Sequence, residues 1–140
     1  MRVQLPAKRA GALLCGPAIA LLLASCGSAV STTAFKGEEH GVAQAIANLQ
    51  SNATAGEEKK ICEEDLAGPL VTRLGGVAGC ETAIKSQLAE VDSFEVTVES
   101  IKLAGDTATA SVKSVYAGKN RIGNLTLVKE AGKWKVSGLA

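Results

Sequence analysis

An α+β fold is what this sequence predicts, with N-terminal helices packed on a curved four-stranded antiparallel sheet. Three observations carry that expectation. Apolar residues recur at helical spacing from Val42 to Val91, the period changes to two from Phe94 onward, and the two halves follow one another without interleaving. Helices first and strands last is the pattern of helices gathered on one face of a sheet, not of alternating βαβ units.

Val42, Ile46 and Leu49, with alanines between them, set the first helix, and the polar stretch from Asn52 to Gly56 ends it. A second helical stretch starts at Glu57-Glu58-Lys59-Lys60 and carries Ile61, Cys62 and Leu66 until Gly68-Pro69 interrupts it. Pro69 can open a short further turn holding Leu70, Val71 and Leu74, because a proline at the first helical position gives up no hydrogen bond. Gly75-Gly76 and Gly79 read as a loop. It is no phosphate cradle, since Lys-Ser/Thr does not follow it and no strand precedes it. A third helix is expected from Cys80 to about Val91, with Ile84, Leu88 and Val91 on one face.

In the first strand Phe94, Val96 and Val98 alternate with polar residues, and Ile101 and Leu103 resume on the other parity. A bulge near Ser100 is predicted, because without one the apolar face would turn to solvent. Gly105-Asp106 supplies a turn into a strand from Thr107 to Tyr116, where Ala108, Ala110 and Val112 alternate before Val115 again changes parity. Ala117 to Asn120 turns into a third strand around Ile122, Leu125 and Leu127, and Ala131-Gly132 turns into a fourth holding Trp134 and Val136.

The chain is 46% hydrophobic but only 3% aromatic, and much of the apolar content sits in the first 25 residues. There Arg2, Lys8 and Arg9 precede an uncharged apolar stretch from Ala12 to Leu23. It is too short for the roughly 20 residues of a relaxed transmembrane span and suits a secretory signal peptide. Leu23-Ala24-Ser25-Cys26, followed by Gly27, closely resembles the lipobox of bacterial lipoproteins. That resemblance implies a diacylglyceryl thioether on Cys26 and cleavage just before it, so that an acylated cysteine, carrying chains such as palmitate, becomes the new N-terminus. The domain is then expected on the extracytoplasmic side of a cell membrane, anchored stably where a single acyl chain would bind only marginally. The expected division is 1–25 as signal peptide, 26–38 as lipidated cysteine and flexible tether, and 39–140 as one α+β domain.

The formal charge of +1, from 15 basic and 14 acidic residues, excludes a bulk electrostatic partner such as nucleic acid. Cleavage before Cys26 would leave 115 residues with 12 Lys and Arg against 14 Asp and Glu. The remaining charge is lopsided. The acids concentrate in the helical half, whereas from residue 100 onward Lys102, Lys113, Lys119, Arg121, Lys129, Lys133 and Lys135 meet only Asp106 and Glu130. Lysines on a sheet commonly protect its surface and edges. The sharper reading is a basic surface that faces anionic lipid headgroups or an acidic partner.

Cysteine counting follows from the same division. Cys15 leaves with the signal and Cys26 takes lipid, so Cys62 and Cys80 remain as a pair in an oxidising setting, and a disulfide is expected. A metal site would need further ligands. The one histidine, His40, lies near the tether, and neither a metal nor a cofactor is expected.

The Gly-Asp-Thr-Ala-Thr turn at 105–109 and the ending Leu127-Val128-Lys129-Glu130 … Gly132-Lys133-Trp134-Lys135-Val136 add a family likeness. Together with the order of elements, they look like the nuclear transport factor 2-like (cystatin-like) superfamily over about residues 39–140. The resemblance implies a sheet curved around the helices to form a conical apolar pocket, often with homodimerisation through the sheet's outer face. It implies no activity, because the superfamily holds isomerases, dehydratases, transport factors and inert modules.

An enzyme in this fold would need an acid or base inside the cone. Tyr116 and Asp92 are the least implausible catalytic groups, although a strand end and a turn explain them as well. Asp106 belongs to a turn, His40 to a solvated helix start beside Glu38 and Glu39, and Trp134 to the core of the last hairpin. No two of these form a motif. The sequence therefore reads as a membrane-anchored non-enzymatic binding or interaction module, with a small apolar molecule or a protein as partner. An isomerase- or dehydratase-type enzyme and a structural envelope protein are the alternatives.

Overall fold

The computed structural model describes residues 30–91, 94–116 and 118–139, apart from the side chain of Tyr116; the expected signal peptide and Cys26 lie outside them. Helix α1 (Gly37–Ala55) is followed by α2 (Glu58–Lys60), which runs on directly as a π-helical turn (Ile61–Asp65), and then by α3 (Gly68–Arg73) and α4 (Gly76–Ala89). The strands are β1 (Glu95–Ala104), β2 (Thr107–Tyr116), β3 (Lys119–Glu130) and β4 (Lys133–Leu139), an antiparallel meander in the order β1-β2-β3-β4.

The predicted bulge is present. Val98 pairs with Val112 and Ser100 with Ser111, so Glu99 is the extra residue, and Val96, Val98 and Ile101 all stay buried on the concave face. The parity change at Val115 is different, because β2 and β3 pair without interruption from Thr107↔Val128 to Tyr116↔Lys119. Directly opposed residues share a face, so Val115 lies on the convex side with Asn120. A second bulge, not expected from the alternation, falls between Thr126 and Leu127, where Ser137 is the extra residue.

Helix α1 crosses the concave face and touches both outer strands, β1 and β4. Its Val42, Ala43 and Ile46 are buried, and the carboxamide oxygen of buried Gln50 accepts the Val96 N–H at 3.0 Å. Gly41 lets the helix approach the last hairpin, since a Cβ there would stand 3.0 Å from Trp134 Cδ1. The buried indole donates from Nε1 to Glu38 Oε2 at 2.9 Å. Lys129 Nζ donates to Glu38 Oε1 at 2.8 Å and lies 5.8 Å from the centre of the ring. The bonds from Lys129 and then from Trp134 hold the Glu38 carboxyl below its ordinary range.

The segment before α1, expected as tether, contributes buried Val30 to the core and packs Phe35 against it. Beyond the π turn, Leu66 forms a parallel bridge with Val136, and the Ala67 N–H donates to the Val136 carbonyl at 2.8 Å. Backbone Gly68 N–H donates to the Glu130 carboxylate at 3.1 and 3.3 Å, which docks the start of α3 on the end of β3. Of the glycines expected as a loop, Gly75 breaks the chain at φ 93, whereas Gly76 and Gly79 belong to the first turn of α4. Gly79 sits on the Leu74 carbonyl so closely that an added Cβ would overlap it. The expected disulfide joins Cys62 of the π turn to Cys80 of α4, with the Cα atoms 6.0 Å apart.

Candidate ligand-binding cavity

Helix α4 packs mainly on α2, the π turn and α3 and has no extensive contact with the sheet. Cys80 is its one buried residue, while Ile84 and Leu88, expected as core, are half-buried. They face a cavity of about 330 Å³ that separates the helices from the end of the sheet. Leu49 and Ala53 of α1, Ile61 and Leu66 around the π turn, and Leu70 and Leu74 around α3 form one wall. Opposite them are Leu125 of β3 and Val136, Gly138 and Leu139 of β4, with Phe94 at the side. Leu139 is 85% exposed and marks the mouth.

Among the described residues, Gln87 is the single lining residue with a polar side chain. Small-molecule sites of roughly 300–1,000 Å³ combine an apolar wall with a few polar groups that orient the ligand. This cavity lies at the small and apolar end of that range. Its described lining offers shape and exclusion of water, and no side chain able to carry charge or move a proton.

A second, polar cleft of about 390 Å³ lies between α1, the end of the π turn and the β3–β4 hairpin, and His40, Gln44, Asn48, Asp65 and Trp134 help to line it. Gln44 Nε2 donates to Asn48 Oδ1 at 3.0 Å, and exposed His40 pairs its Nδ1 with the Thr32 carbonyl at 3.1 Å. Asp65 is only 6% exposed and accepts a 2.7 Å bond from Asn52 Nδ2. Burial pushes its carboxyl above the ordinary aspartate range, and the Asn52 bond opposes that shift. Among the described residues, no group of three or more His, Cys, Asp or Glu could hold a metal ion.

The residues singled out in the sequence do not converge. Asp92 and the Tyr116 side chain lie outside the described residues. Asp106 is an exposed turn residue whose carbonyl accepts the Lys129 N–H at 2.8 Å. The basic residues do not share one face. Register puts Lys102, Lys113, Lys133 and Lys135 on the convex side, while Lys119, Arg121 and Lys129 fall on the parity of the core residues Leu125 and Leu127. The convex side is otherwise rich in Ser, Thr and Asn, such as Thr109, Ser111, Asn124 and Thr126. The family resemblance implied a conical apolar pocket, but the sequence did not show that α4 helps to wall it. The one signal of that was an apolar face on α4 in addition to the faces that already fill the cone.

Residues 79–138, from α4 to β4, match the family model described as "Putative lumazine-binding". Among solved structures, Rd1NTF2_05 in a five-substitution variant is 15% identical, with a TM-score of 0.52 and coverage of 74% of this chain and 97% of its own. The chain has the nuclear transport factor 2-like fold. A "Putative NTF2-like transpeptidase" from Campylobacter jejuni is 16% identical over 68% of this chain and 95% of its own, with a TM-score of 0.45. The de novo designed NTF2 fold protein NT-9 is 13% identical over 74% of this chain and 85% of its own, with a TM-score of 0.44. No curated protein matches the chain in sequence. Among the described residues, no helix is long and apolar enough to cross a membrane.

Proposed function

We propose that this nuclear transport factor 2-like domain is a non-enzymatic binding module for a small apolar ligand, held on the extracytoplasmic side of a cell membrane by a lipid on Cys26. The observation that carries the binding reading is the cavity between α4 and the sheet, lined mainly by leucine, isoleucine, valine and one phenylalanine, with Gln87 as the only polar side chain among the described lining residues. An isomerase or dehydratase would need a positioned acid or base on that wall, and the described lining supplies none. The name of the matched family raises lumazine as a ligand. A flat heterocycle rich in carbonyl and ring-nitrogen acceptors would leave most of those atoms unpaired here, at a cost of roughly 1–3 kcal/mol each. An apolar ligand fits the lining better.

The anchor rests on the lipobox-like Leu23-Ala24-Ser25-Cys26. Two measurements test the two parts. Native mass spectrometry of the Cys26→Ala chain should show a co-purifying apolar small molecule, or uptake of an added one; a domain that neither carries nor takes up any such ligand contradicts the binding reading. The same substitution should abolish incorporation of labelled palmitate and release the protein from membranes. Continued labelling and membrane partition would contradict the anchor.

A further inference from the structure

We infer that the ligand of the apolar cavity is a single-chain anionic amphiphile, with its tail between α4 and the sheet and its acidic head on Arg73. This rests on the binding reading above and adds the chemical class of the ligand. Arg73 ends α3 and is exposed. Its Nη2 donates to the Ser137 carbonyl at 3.4 Å. The residues that follow these two, Leu74 and Gly138, both line the cavity. The guanidinium therefore bridges helix and strand at two residues that each adjoin the lining of the apolar space.

Among the described residues no carboxylate neutralises its charge: Arg73 takes no part in the Lys59–Glu63, Lys60–Glu57 or Lys129–Glu38 ion pairs. One long bond to a neutral carbonyl uses one of five guanidinium donors. A planar fork left with free donors matches a carboxylate or phosphate, which it can grip through two parallel bonds. The lining selects what such a head is attached to. A space of about 330 Å³ with a largely apolar wall admits one chain and no larger assembly, and 85%-exposed Leu139 at the mouth gains cover from the methylenes next to the head.

The test uses the full chain carrying Cys26→Ala, titrated calorimetrically with decanoate and with 1-decanol, which share a chain and differ in charge. Both should bind, decanoate about tenfold more tightly at low salt, and the preference should shrink as salt is added. In Arg73→Gln the two affinities should converge, in Arg73→Lys part of the preference should return, and Leu88→Trp, which fills the cavity, should weaken both. Equal affinities in the parent chain, or a preference that survives Arg73→Gln, would overturn the anionic head while leaving the apolar site standing. Failure of both probes to bind would overturn the binding reading together with this one.

Discussion

Reduction of the Cys62–Cys80 disulfide should weaken the whole domain and loosen α4 most of all. The bond closes a loop with a sequence separation of 18. In the chain-entropy relation, a loop of that length restricts the unfolded chain by about 3 kcal/mol. This is a large share of the roughly 5–15 kcal/mol that holds a domain together. At about 4–8 °C per kcal/mol, the melting temperature should fall by roughly 12–24 °C. The local effect follows from packing. Cys80 is the only buried residue of α4, and the helix has no extensive contact with the sheet, so without the bond its contacts with α2, the π turn and α3 chiefly keep it in place.

Urea unfolding of oxidised and reduced protein measures the first effect, and amide exchange over residues 76–89 measures the second; Cys62→Ala with Cys80→Ala serves as a reagent-free control. A loss below about 1 kcal/mol would contradict the entropic argument. Exchange that accelerates equally in α4 and in the central strands would show that α4 is no separately tethered element. Loss of ligand affinity should accompany the loosening, since Ile84 and Leu88 supply one side of the cavity.

Three substitutions probe other parts of the fold. Gly79→Ala should destabilise by about 1–3 kcal/mol, although alanine favours helix by up to about 1 kcal/mol, because its methyl meets the Leu74 carbonyl; thermal unfolding decides, and a stabilised variant would show that the α3–α4 approach can relax. Ala131 has φ 48 beside Gly132 at φ 78, so Ala131→Asn should stabilise the two-residue turn by about 0.5–1 kcal/mol, and an unchanged unfolding midpoint would argue against strain there. Asp65→Asn should raise stability at neutral pH. Burial raises the folded carboxyl above its ordinary value of 3.8, so its cost is absent below that value and fully present once pH exceeds the raised one. The gain should therefore vanish as pH falls to the ordinary aspartate range. A gain that persisted there would point to packing instead. Glu38 acts with the opposite sign, since its lowered carboxyl contributes stability above the ordinary value of 4.5 that is lost as pH falls through the folded one.

What the sequence could show depended on whether a helix covers the residues in question. The bulge at Glu99 was legible because Val98 and Ile101 both had to face a buried layer. The same change of parity at Val115 marks no bulge, because the end of the β2–β3 hairpin has little cover; Ile122 there is 72% exposed on an uninterrupted ladder. Alternation carries information only where one side is dry. Glycines were ambiguous in a similar way. Gly75, at φ 93, does break the chain, whereas Gly79 is needed for close approach inside a helix, and one letter cannot distinguish these uses. That α4 would wall the expected pocket was hidden for a more general reason. Ile84 and Leu88 have the same spacing whether the helix rests on a sheet or stands off it, so periodicity reports an apolar face and not what fills the space beside it.

The uneven charge takes on a different meaning in three dimensions. Read along the chain, acidic helices followed by a basic sheet suggest a surface held out to a partner. In the fold, several of the polar groups from each half meet across their boundary. Lys129 pairs with Glu38, Lys135 donates to the Glu63 carbonyl at 2.9 Å, and Glu130 receives the Gly68 N–H. Exposed ion pairs contribute little each, about 0–1 kcal/mol at the median, so their value here is positional. They fix where α1, the π turn and α3 sit against β3 and β4, and the last two carry much of the cavity wall. Arg73 crosses the same boundary next to the cavity's lining and, among the described residues, finds only a neutral carbonyl. Where the other crossings end on a carboxylate or occupy a carbonyl within 3 Å, this one leaves a cation beside an apolar space, and an acidic amphiphile would complete it.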